Sequence, residues 1–407
     1  MFFAKQKNPA RHKSFKLTDN KMKKIYLDHA ATTRTDEEVL EAMKPYFLEK
    51  YGNAGSLHSF GREARDALEK SRKIAADFIN ARPNEIIFTS GGTESDNLAI
   101  MGVLWANQDK GKHIITSRIE HPAVLETCKY LEKRGWKVTW LDVDSDGLIN
   151  PKDVEKAITK ETILVSIMHV NNEIGTIQPI EEIGKICKKN KVYFHTDAVQ
   201  SYGKIKIDVK KMNIDLLSVS GHKIYGPKGV GFLFINQDVK IVPIQHGGGH
   251  ETGLRSGTEN VAGIIGLAKA TELAEKNMKK ESEKLKKLQD KLINELLKIS
   301  GTKLNGSRDK RIYNNINISF EGVEGEALLL RLDGKGICVS TGSACSSKSL
   351  EPSHVLTAIG LKPEKAHGSL RITMGKDNTE EEIDYVIKSL NEIVNSLRKI
   401  SPFGKKW

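Results

Sequence analysis

A lysine lies between a predicted β-strand and a glycine-rich loop in the stretch Ser218–Gly229, which reads SVSGHKIYGPKG. Ser220 and His222 precede Lys223 closely, so we expect its amine to lie in a site and to be partly removed from water. Desolvation lowers the pKa of a lysine and makes its neutral amine a nucleophile toward carbonyl carbons. The alternative is a surface lysine in a glycine-rich turn, which is our interpretation of Lys228.

Two further motifs also follow predicted strands. Ser90–Ser95 (SGGTES) joins a strand to a helix start, where Gly92 lets the backbone approach an anion and Thr93 offers a hydroxyl. Alone, such a motif more often marks only a turn. His195–Gln200 (HTDAVQ) places Asp197 at the end of an apolar strand, where a carboxylate needs a cationic or hydrogen-bonding partner. Helix capping is the alternative role for this aspartate.

An anion site, a strand-end carboxylate and a sequestered amine together meet the requirements of pyridoxal 5'-phosphate (PLP). The phosphate would bind at Gly92 and Thr93, and the protonated pyridine nitrogen would pair with Asp197. The aldehyde would react with Lys223. The three motifs therefore predict a PLP site.

A cysteine occupies a different setting, the stretch Val339–Pro352 (VSTGSACSSKSLEP). This stretch is rich in glycine and serine, which predicts a mobile loop around Cys345. The other three cysteines lie in helical or strand-like contexts, where an inert buried role is usual: Cys128, Cys187 and Cys338. Cys345 is therefore the candidate nucleophile, and it must react as the thiolate.

The elements that position the first three motifs form an alternating pattern of β-branched runs and helical periods. Strands are predicted at Glu85–Thr89, His113–Ile119, Lys137–Val143, Thr162–Val170, Val192–Asp197, Asp215–Ser220 and Gly229–Ile235. Helices are predicted at Thr93–Ala106, Val124–Arg134, Pro151–Ile158 and Ile180–Lys189. This alternation indicates an α/β fold with a mostly parallel sheet flanked by helices. Ligands of such sheets bind at the carboxyl ends of the strands.

A long charged helix over about Val261–Ile299 is predicted to lead into a smaller α+β domain. Its strands are expected at Asn315–Phe320, Ile337–Ser340 and Leu370–Met374, and its helices at Glu324–Leu332 and Thr379–Leu397. We expect a large PLP-binding domain at residues 34–275. The small domain would combine residues 22–33 with residues 276–407 and carry the Cys345 loop.

The composition excludes several protein classes. The chain has 407 residues, of which 38% are hydrophobic and 29% charged, which predicts a globular protein of two domains. No apolar run is long enough to span a membrane, and residues 1–15 lack the apolar segment of a secretory signal, so we expect a cytoplasmic protein. The irregularly spaced cysteines predict neither a disulfide framework nor a zinc site, and no resident metal is expected.

The charge distribution bears on possible partners. The formal net charge is +12, and residues 1–21 hold six basic side chains and one acidic one. We expect this basic tail to be disordered; a mis-assigned start or a weak targeting tail would have the same appearance. The remaining basic residues are spread along helices and form no nucleic-acid-binding motif. This pattern favours an anionic small-molecule site over a nucleic-acid surface.

Beyond these patterns, an ordered series of motifs resembles the cysteine desulfurases of the NifS/IscS type, in the class V aminotransferase group of PLP enzymes. The motifs are Ile25–Thr33 (IYLDHAATT), Glu120–Val124 (EHPAV), Val170–Gly175 (VNNEIG), His246–Glu251 (HGGGHE) and Arg255–Thr258 (RSGT), together with those around Lys223 and Cys345. The resemblance covers nearly all of the chain after the tail. It implies the aspartate aminotransferase-like fold of PLP-dependent transferases and a homodimer.

The resemblance also implies roles for individual residues. Lys223 would bind the cofactor covalently, and its phosphate would be held by Gly92, Thr93, Ser220, His222 and the partner subunit's Thr258. Asp197 would pair with the pyridine nitrogen, Gln200 would contact the phenolic oxygen, and His121 would stack on the ring and move protons. The substrate carboxylate would be held by Asn172 and Arg371, because a guanidinium pairs with both carboxylate oxygens.

The implied reaction removes sulfur from L-cysteine and leaves alanine. Lys223 would take the Cα proton, His121 would help to protonate the cofactor, and Cys345 would become a persulfide. The length of the loop after Cys345 resembles the long-loop subgroup, in which sulfur passes directly to acceptor proteins. An iron–sulfur scaffold or a tRNA-thiolation protein would be the acceptor, and Cys345 would ligate a cluster only transiently during transfer. Thr341 departs from the serine of many relatives but keeps the hydroxyl.

Four alternatives remain open from sequence. An aminotransferase would keep Lys223 and Asp197 but would have no use for Cys345. Selenocysteine lyase activity is chemically close and would accompany the main reaction. A non-catalytic sulfur-relay scaffold is disfavoured by the intact set of Lys223, His121 and Cys345, and a basic nucleic-acid binder would not absorb light as bound PLP does.

Overall fold

The computed structural model describes residues 24–341 and 352–400. The predicted tail at residues 1–21 and the candidate nucleophile Cys345 lie outside these ranges. Within the described ranges, no helix combines the length and apolar character needed to cross a membrane.

A seven-stranded sheet forms the centre of the molecule. Its strands are β2 (Ile86–Thr89), β3 (His113–Ser117), β4 (Lys137–Leu141), β5 (Thr162–Ser166), β6 (Tyr193–Asp197), β7 (Leu216–Ser220) and β8 (Gly231–Ile235). Their order is β2-β8-β7-β6-β5-β3-β4, and only β8 runs antiparallel to its neighbours. All seven predicted strands are therefore confirmed, as is the mostly parallel sheet.

Both faces of this sheet are buried, because neighbouring residues of one strand enter different hydrophobic clusters. Leu217 and Val219 of β7 pack in one cluster, whereas Leu216 packs in the other. The helices on the two faces are α1 (Glu37–Met43), α2 (Pro45–Leu48), α3 (Ser59–Phe78), α4 (Gly92–Asn97), α5 (Val103–Ala106), α6 (Pro122–Glu132), α7 (Pro151–Ala157) and α8 (Ile180–Asn190). Burial on both faces explains why inner strands such as β5, β7 and β8 are mainly apolar, whereas the edge strand β4 is only partly buried.

The 36-residue helix α9 (Val261–Leu296) links the two halves of the structure. Its first turns, with Ile264 and Leu267, pack against the central sheet. Leu285 and Leu292, near its other end, pack in a separate cluster. The predicted division of the chain into domains at residue 275 stays a prediction, and these two packing environments are consistent with it.

The second cluster is built on two small sheets. An antiparallel sheet has the order β12-β10-β9, with β9 (Thr302–Leu304), β10 (Asn315–Phe320) and β12 (Ser369–Thr373). A two-stranded parallel sheet joins β1 (Ile25–Tyr26) to β11 (Ile337–Cys338). Helices α10 (Gly325–Asp333) and α13 (Glu380–Ile400) pack in this second cluster. Helices α11 (His354–Ala358) and α12 (Pro363–His367) pack in a separate small cluster with Ile119 and Ile174.

Some elements differ from the sequence-based expectation. Helix α3 has 20 residues and was not expected, because its buried face consists mainly of small residues such as Ala64 and Ala75 among many charges. The predicted helix Thr93–Ala106 is divided by a π-helical segment at Leu98–Gly102 into α4 and α5. Strand β5 ends at Ser166, four residues before its predicted end.

Candidate active site

A cavity of about 650 Å³ opens where the strands of the central sheet end. Asp197 and Ser220 are the last residues of β6 and β7. Ten of the residues predicted from sequence line this cavity: Gly92, Thr93, His121, Asn172, Asp197, Gln200, Ser220, His222, Lys223 and Arg371. Residues far apart in the sequence thus meet at the edge where parallel sheets bind ligands.

Lys223 ends the 3₁₀ turn that follows β7. Its Nζ donates hydrogen bonds to the carbonyl oxygens of Ala30, at 2.5 Å, and Ala31, at 2.7 Å. Gln200 donates to the same Ala30 carbonyl through Nε2 at 2.9 Å. The amine is therefore held at the cavity wall and is not a surface lysine, whereas Lys228 is exposed.

The loop between β2 and α4 approaches the ends of β6 and β7 closely. Gly91 has φ of 149°, which favours glycine. A Cβ at Gly92 would lie 2.7 Å from Val199 Cγ2, so a side chain would not fit there. The cavity wall next to this loop carries Ser220 and His222, and burial lowers the pKa of His222 to about 4. A neutral His222 and the serine hydroxyl are suitable hydrogen-bond donors to an anion.

Asp197 brings a buried carboxylate to the cavity. The carboxylate accepts a hydrogen bond from the Val199 amide at 2.8 Å, and Asp197 is 5% exposed. Burial raises the pKa of Asp197, and the nearby His121 and Lys223 act in the opposite direction. A cation placed in the cavity would therefore stabilise the ionised carboxylate.

His121 precedes the first turn of α6 and caps that helix. Its Nδ1 accepts a hydrogen bond from the Ala123 amide at 3.1 Å, so the neutral ring carries its proton on Nε2. Burial lowers the pKa of His121, which favours this neutral form, and the charge of Asp197 opposes the shift. His121 can therefore present an N–H donor to a group in the cavity.

Arg371 occupies the middle of β12 and reaches the cavity from the small sheet. Its Nη2 donates to Asp28 Oδ1 at 2.7 Å and its Nη1 donates to the Asn172 carbonyl at 3.2 Å. Asn172, whose side chain lines the same cavity, is partly buried. A guanidinium in this position can bind a carboxylate that enters the cavity.

Residues 28–33, which we call the N-terminal segment, contact four of the predicted site residues. Besides the contacts to Lys223, Gln200 and Arg371, Thr32 Oγ1 lies 3.0 Å from His222 Nδ1. Most of these contacts use backbone carbonyls, which any residue type can supply. For that reason side-chain chemistry alone does not single out this segment.

Two buried acids beside Asp197 were also not predicted. Glu120 accepts from the Ser117 hydroxyl at 2.6 Å, and burial raises its pKa to about 8. Asp96 is 1% exposed, and its Oδ1 lies 3.6 Å from His195 Nε2. Burial and the nearby charge of Asp197 raise the pKa of Asp96. Both acids follow a predicted strand end, but neither has a pattern that distinguishes it from a helix-start acid.

Two predicted residues are not among those that line the cavity. Thr258 is exposed in the loop before α9, a loop tied to α4 by an ion pair of 2.8 Å between Arg255 Nε and Glu94 Oε1. Cys345 lies outside the described residues. The chain beyond it is described again from Pro352, and Pro352 and His354 line the cavity.

The residues that line the cavity match the chemical groups of PLP. Asp197 is a buried carboxylate whose ionised form calls for a cation, which a protonated pyridine nitrogen would supply. The side-chain-free approach at Gly92, with Ser220 and His222, provides a place for a phosphate. Lys223 provides a primary amine for an aldehyde.

Comparison with known proteins identifies the family. Residues 25–386 match the family model of Aminotransferase class-V. A protein of Dictyoglomus turgidum named cysteine desulfurase IscS is 56% identical over 386 residues, which cover 95% of this chain and 98% of that protein. The solved structure of a "NifS-like protein" shares 43% identity with a TM-score of 0.87, over 92% of this chain and 100% of that chain.

A second solved structure, titled "SspA in complex with cysteine", is 41% identical with a TM-score of 0.78, over 87% of this chain and 99% of that chain. Sequence identity over nearly the full length of this chain and of each relative, together with the matching fold, confirms the family resemblance indicated by the sequence motifs. The chain belongs to the class V aminotransferase family and, within it, to the cysteine desulfurases of the NifS/IscS type.

Proposed function

We propose that the protein removes sulfur from L-cysteine, releasing L-alanine and carrying the sulfur as a persulfide on Cys345. The observation that carries this proposal is the convergence of Lys223, Asp197, His121 and Arg371 on one cavity. The relative solved with cysteine supports the choice of substrate.

Members of this family depend on PLP, and we propose that this chain binds it through the residues that line the cavity. Lys223 would hold the aldehyde carbon, Asp197 the pyridine nitrogen and Gln200 the phenolic oxygen. The phosphate would be held by Gly92, Thr93, Ser220, His222 and the partner subunit's Thr258. When bound, PLP supplies an electron-withdrawing group that acidifies the Cα proton of an amino acid.

The remaining steps belong to the chain's own side chains. Arg371 and Asn172 orient the substrate through its carboxylate, which brings Cα toward Lys223. Once the substrate amine has replaced it at the cofactor, the freed Lys223 amine takes the Cα proton, and His121 donates a proton from Nε2 or takes one back. Asp197 stays ionised and holds its cationic partner in place.

Cys345 accepts the sulfur in a step that needs no other reactant than L-cysteine and a proton. The Cys345 thiolate attacks the substrate sulfur, so an S–S bond forms and the C–S bond breaks. The electron pair of the broken bond stays on carbon, which takes a proton and becomes the methyl group of alanine. Overall, one thiol and L-cysteine give one persulfide and L-alanine, and no external oxidant is required.

We further propose a cytoplasmic homodimer that passes this sulfur to acceptor proteins, such as an iron–sulfur scaffold or a tRNA-thiolation protein. An exposed Thr258 is available to a second subunit, which supports the dimer. The sequence shows no recognised nucleic-acid-binding motif, so direct nucleic-acid binding is not part of the proposal.

The overall reaction is tested with the PLP-loaded protein, L-cysteine and a reductant. We expect alanine and sulfide in equal amounts, measured by amino-acid analysis and a sulfide assay. Lys223→Ala should remove both products, because the cofactor anchor and the base are lost together. Alanine without sulfide or persulfide would contradict the proposal.

The nucleophile is tested by mass spectrometry after a brief pulse of L-cysteine without reductant. We expect one added sulfur on the peptide that contains Cys345, and Cys345→Ser should lose it while still binding PLP. Cys128→Ser is the matched control and should keep the added sulfur, because burial raises the pKa of the Cys128 thiol and leaves it unreactive. Added sulfur on Cys338 instead would reject Cys345 as the nucleophile.

A further inference from the structure

The guanidinium proposed to bind the substrate carboxylate already holds a carboxylate of the chain. Arg371 Nη2 lies 2.7 Å from Asp28 Oδ1, and the two side chains are 3% and 19% exposed. Low exposure means that water screens this ion pair only weakly. Asp28 has no part in the cofactor or proton-transfer roles proposed above.

The backbone fixes Asp28 in this place. Asp28 forms a parallel bridge with Thr373, two residues after Arg371, and the Thr373 amide donates to the Leu27 carbonyl at 2.8 Å. The Ala30 amide donates to Thr373 Oγ1 at 2.9 Å. The backbone of Asp28 is therefore held beside β12, which keeps its carboxylate within reach of the Arg371 guanidinium.

Two carboxylates must then be considered for one guanidinium. The substrate carboxylate would enter a site whose positive charge is largely balanced by Asp28, so its electrostatic gain is reduced. At the same time, Asp28 and the Asn172 carbonyl hold the guanidinium in a fixed orientation before substrate arrives. Orientation and charge are separable, because an amide in place of the carboxylate keeps an oxygen acceptor and removes the charge.

We propose that Asp28 is a positioning residue that orients Arg371 and, through its charge, weakens the hold of Arg371 on the substrate carboxylate. This proposal rests on the proposed function, in which Arg371 binds the amino acid. This arrangement would favour turnover. The product alanine carries the same carboxylate as L-cysteine, and weaker binding of that carboxylate by Arg371 lets alanine dissociate.

Asp28→Asn tests the proposal with PLP-loaded protein. We expect the dissociation constant for L-alanine, measured by calorimetry, to fall about tenfold, the size of one charge-assisted contact. KM for L-cysteine should fall in parallel, and kcat should not rise. Binding of cysteamine, which has an amine and a thiol but no carboxylate, should stay within about twofold, because Arg371 has nothing to bind in it.

Asp28→Ser is a second variant in case the asparagine protein folds poorly. Serine removes the charge and also the acceptor that orients Arg371, so L-alanine binding should tighten, but by less than tenfold. The matched control is Asp142→Asn, which removes the carboxylate from an exposed ion pair with Arg118. It should leave L-alanine binding unchanged. Unchanged or weaker L-alanine binding in both Asp28 variants would overturn the proposal, as would an equal change in cysteamine binding.

Failure of the proposed function is distinguishable from failure of this inference. In the first case the wild-type protein releases no sulfide from L-cysteine. In the second case the wild type is an active desulfurase, and replacement of Asp28 leaves the preference for carboxylate-bearing ligands unchanged.

Discussion

Asp197 and Glu251 are both buried carboxylates in the large α/β part of the chain, but their surroundings are opposite. Glu251 receives two bonds from Arg72, at 2.7 and 2.8 Å, and one from the Phe88 amide at 2.7 Å. Among the described residues, the hydrogen bond to Asp197 comes from the Val199 amide. Glu251 is satisfied within the chain, whereas Asp197 faces a cavity and is left with capacity for a ligand.

This contrast shows that burial alone does not tell whether a carboxylate has a structural or a functional role. Buried carboxylates require compensation, and the source of that compensation separates a structural role from a functional one. Where the chain supplies it, the group stabilises the fold. Where the carboxylate faces a cavity and not a partner from the chain, it can bind a cation that enters the cavity.

Glu251→Gln gives the strongest test of this contrast. The substitution leaves the more exposed Glu69, 3.2 Å from Arg72 Nε, as the remaining counter-charge of the buried guanidinium, so we expect the free energy of unfolding to fall by about 3 kcal/mol. Chemical denaturation measures it. The residual activity per folded molecule should stay close to wild type, and a fall in stability below about 1 kcal/mol would show that Glu251 is not compensated as described.

Asp197→Asn should give the reverse result. We expect the cofactor-loaded protein to lose about a hundredfold or more in kcat/KM for L-cysteine, because a neutral amide does not hold a pyridinium. Its free energy of unfolding, measured without added cofactor, should not fall, since an amide avoids burial of a charge. Destabilisation equal to that of Glu251→Gln would remove the distinction between the two sites.

Glu120→Gln should show its effect in the pH dependence of the free energy of unfolding. Burial raises the pKa of Glu120 from 4.5 to about 8, so the folded protein binds this proton more tightly than the unfolded chain. The wild-type free energy of unfolding therefore falls as pH rises from about 5 to 8, by up to about 1.4 kcal/mol per pH unit from this group. The variant should lack that slope; parallel curves for the two proteins would contradict the assignment.

Sequence patterns predicted the central sheet well because its strands carry their signal locally. Strand β5 contains the apolar run Ile163–Val165, which is buried on both faces, and such a short apolar run predicts a strand. The residues of the PLP motifs were predicted for a similar reason, since each follows directly on a strand end. Helix α3 was missed because its buried face is made mainly of small residues. From sequence alone, such a pattern cannot be told from that of an exposed helix or a loop.

Contacts between distant segments could not be predicted in this way. Arg72 and Glu251 are 179 residues apart, and Asp28 and Arg371 are 343 residues apart. Each of these side chains is an ordinary charged residue in its own neighbourhood. Only the fold brings the partners together, so their pairing and the role of the N-terminal segment become visible in three dimensions.

The pairing of β1 with β11, and of Asp28 with residues of β12, has a consequence for biosynthesis. A ribosome adds about 5–20 residues each second, so the N-terminal segment waits roughly 20 to 70 s before Arg371 has been made. Ile25 and Leu27, both buried in the finished protein, lack a strand to pair with until β11 has been made, and until then they stay accessible to chaperones. The cavity lining is thus among the last parts of the nascent chain to be completed, and a chain truncated before β12 lacks Arg371.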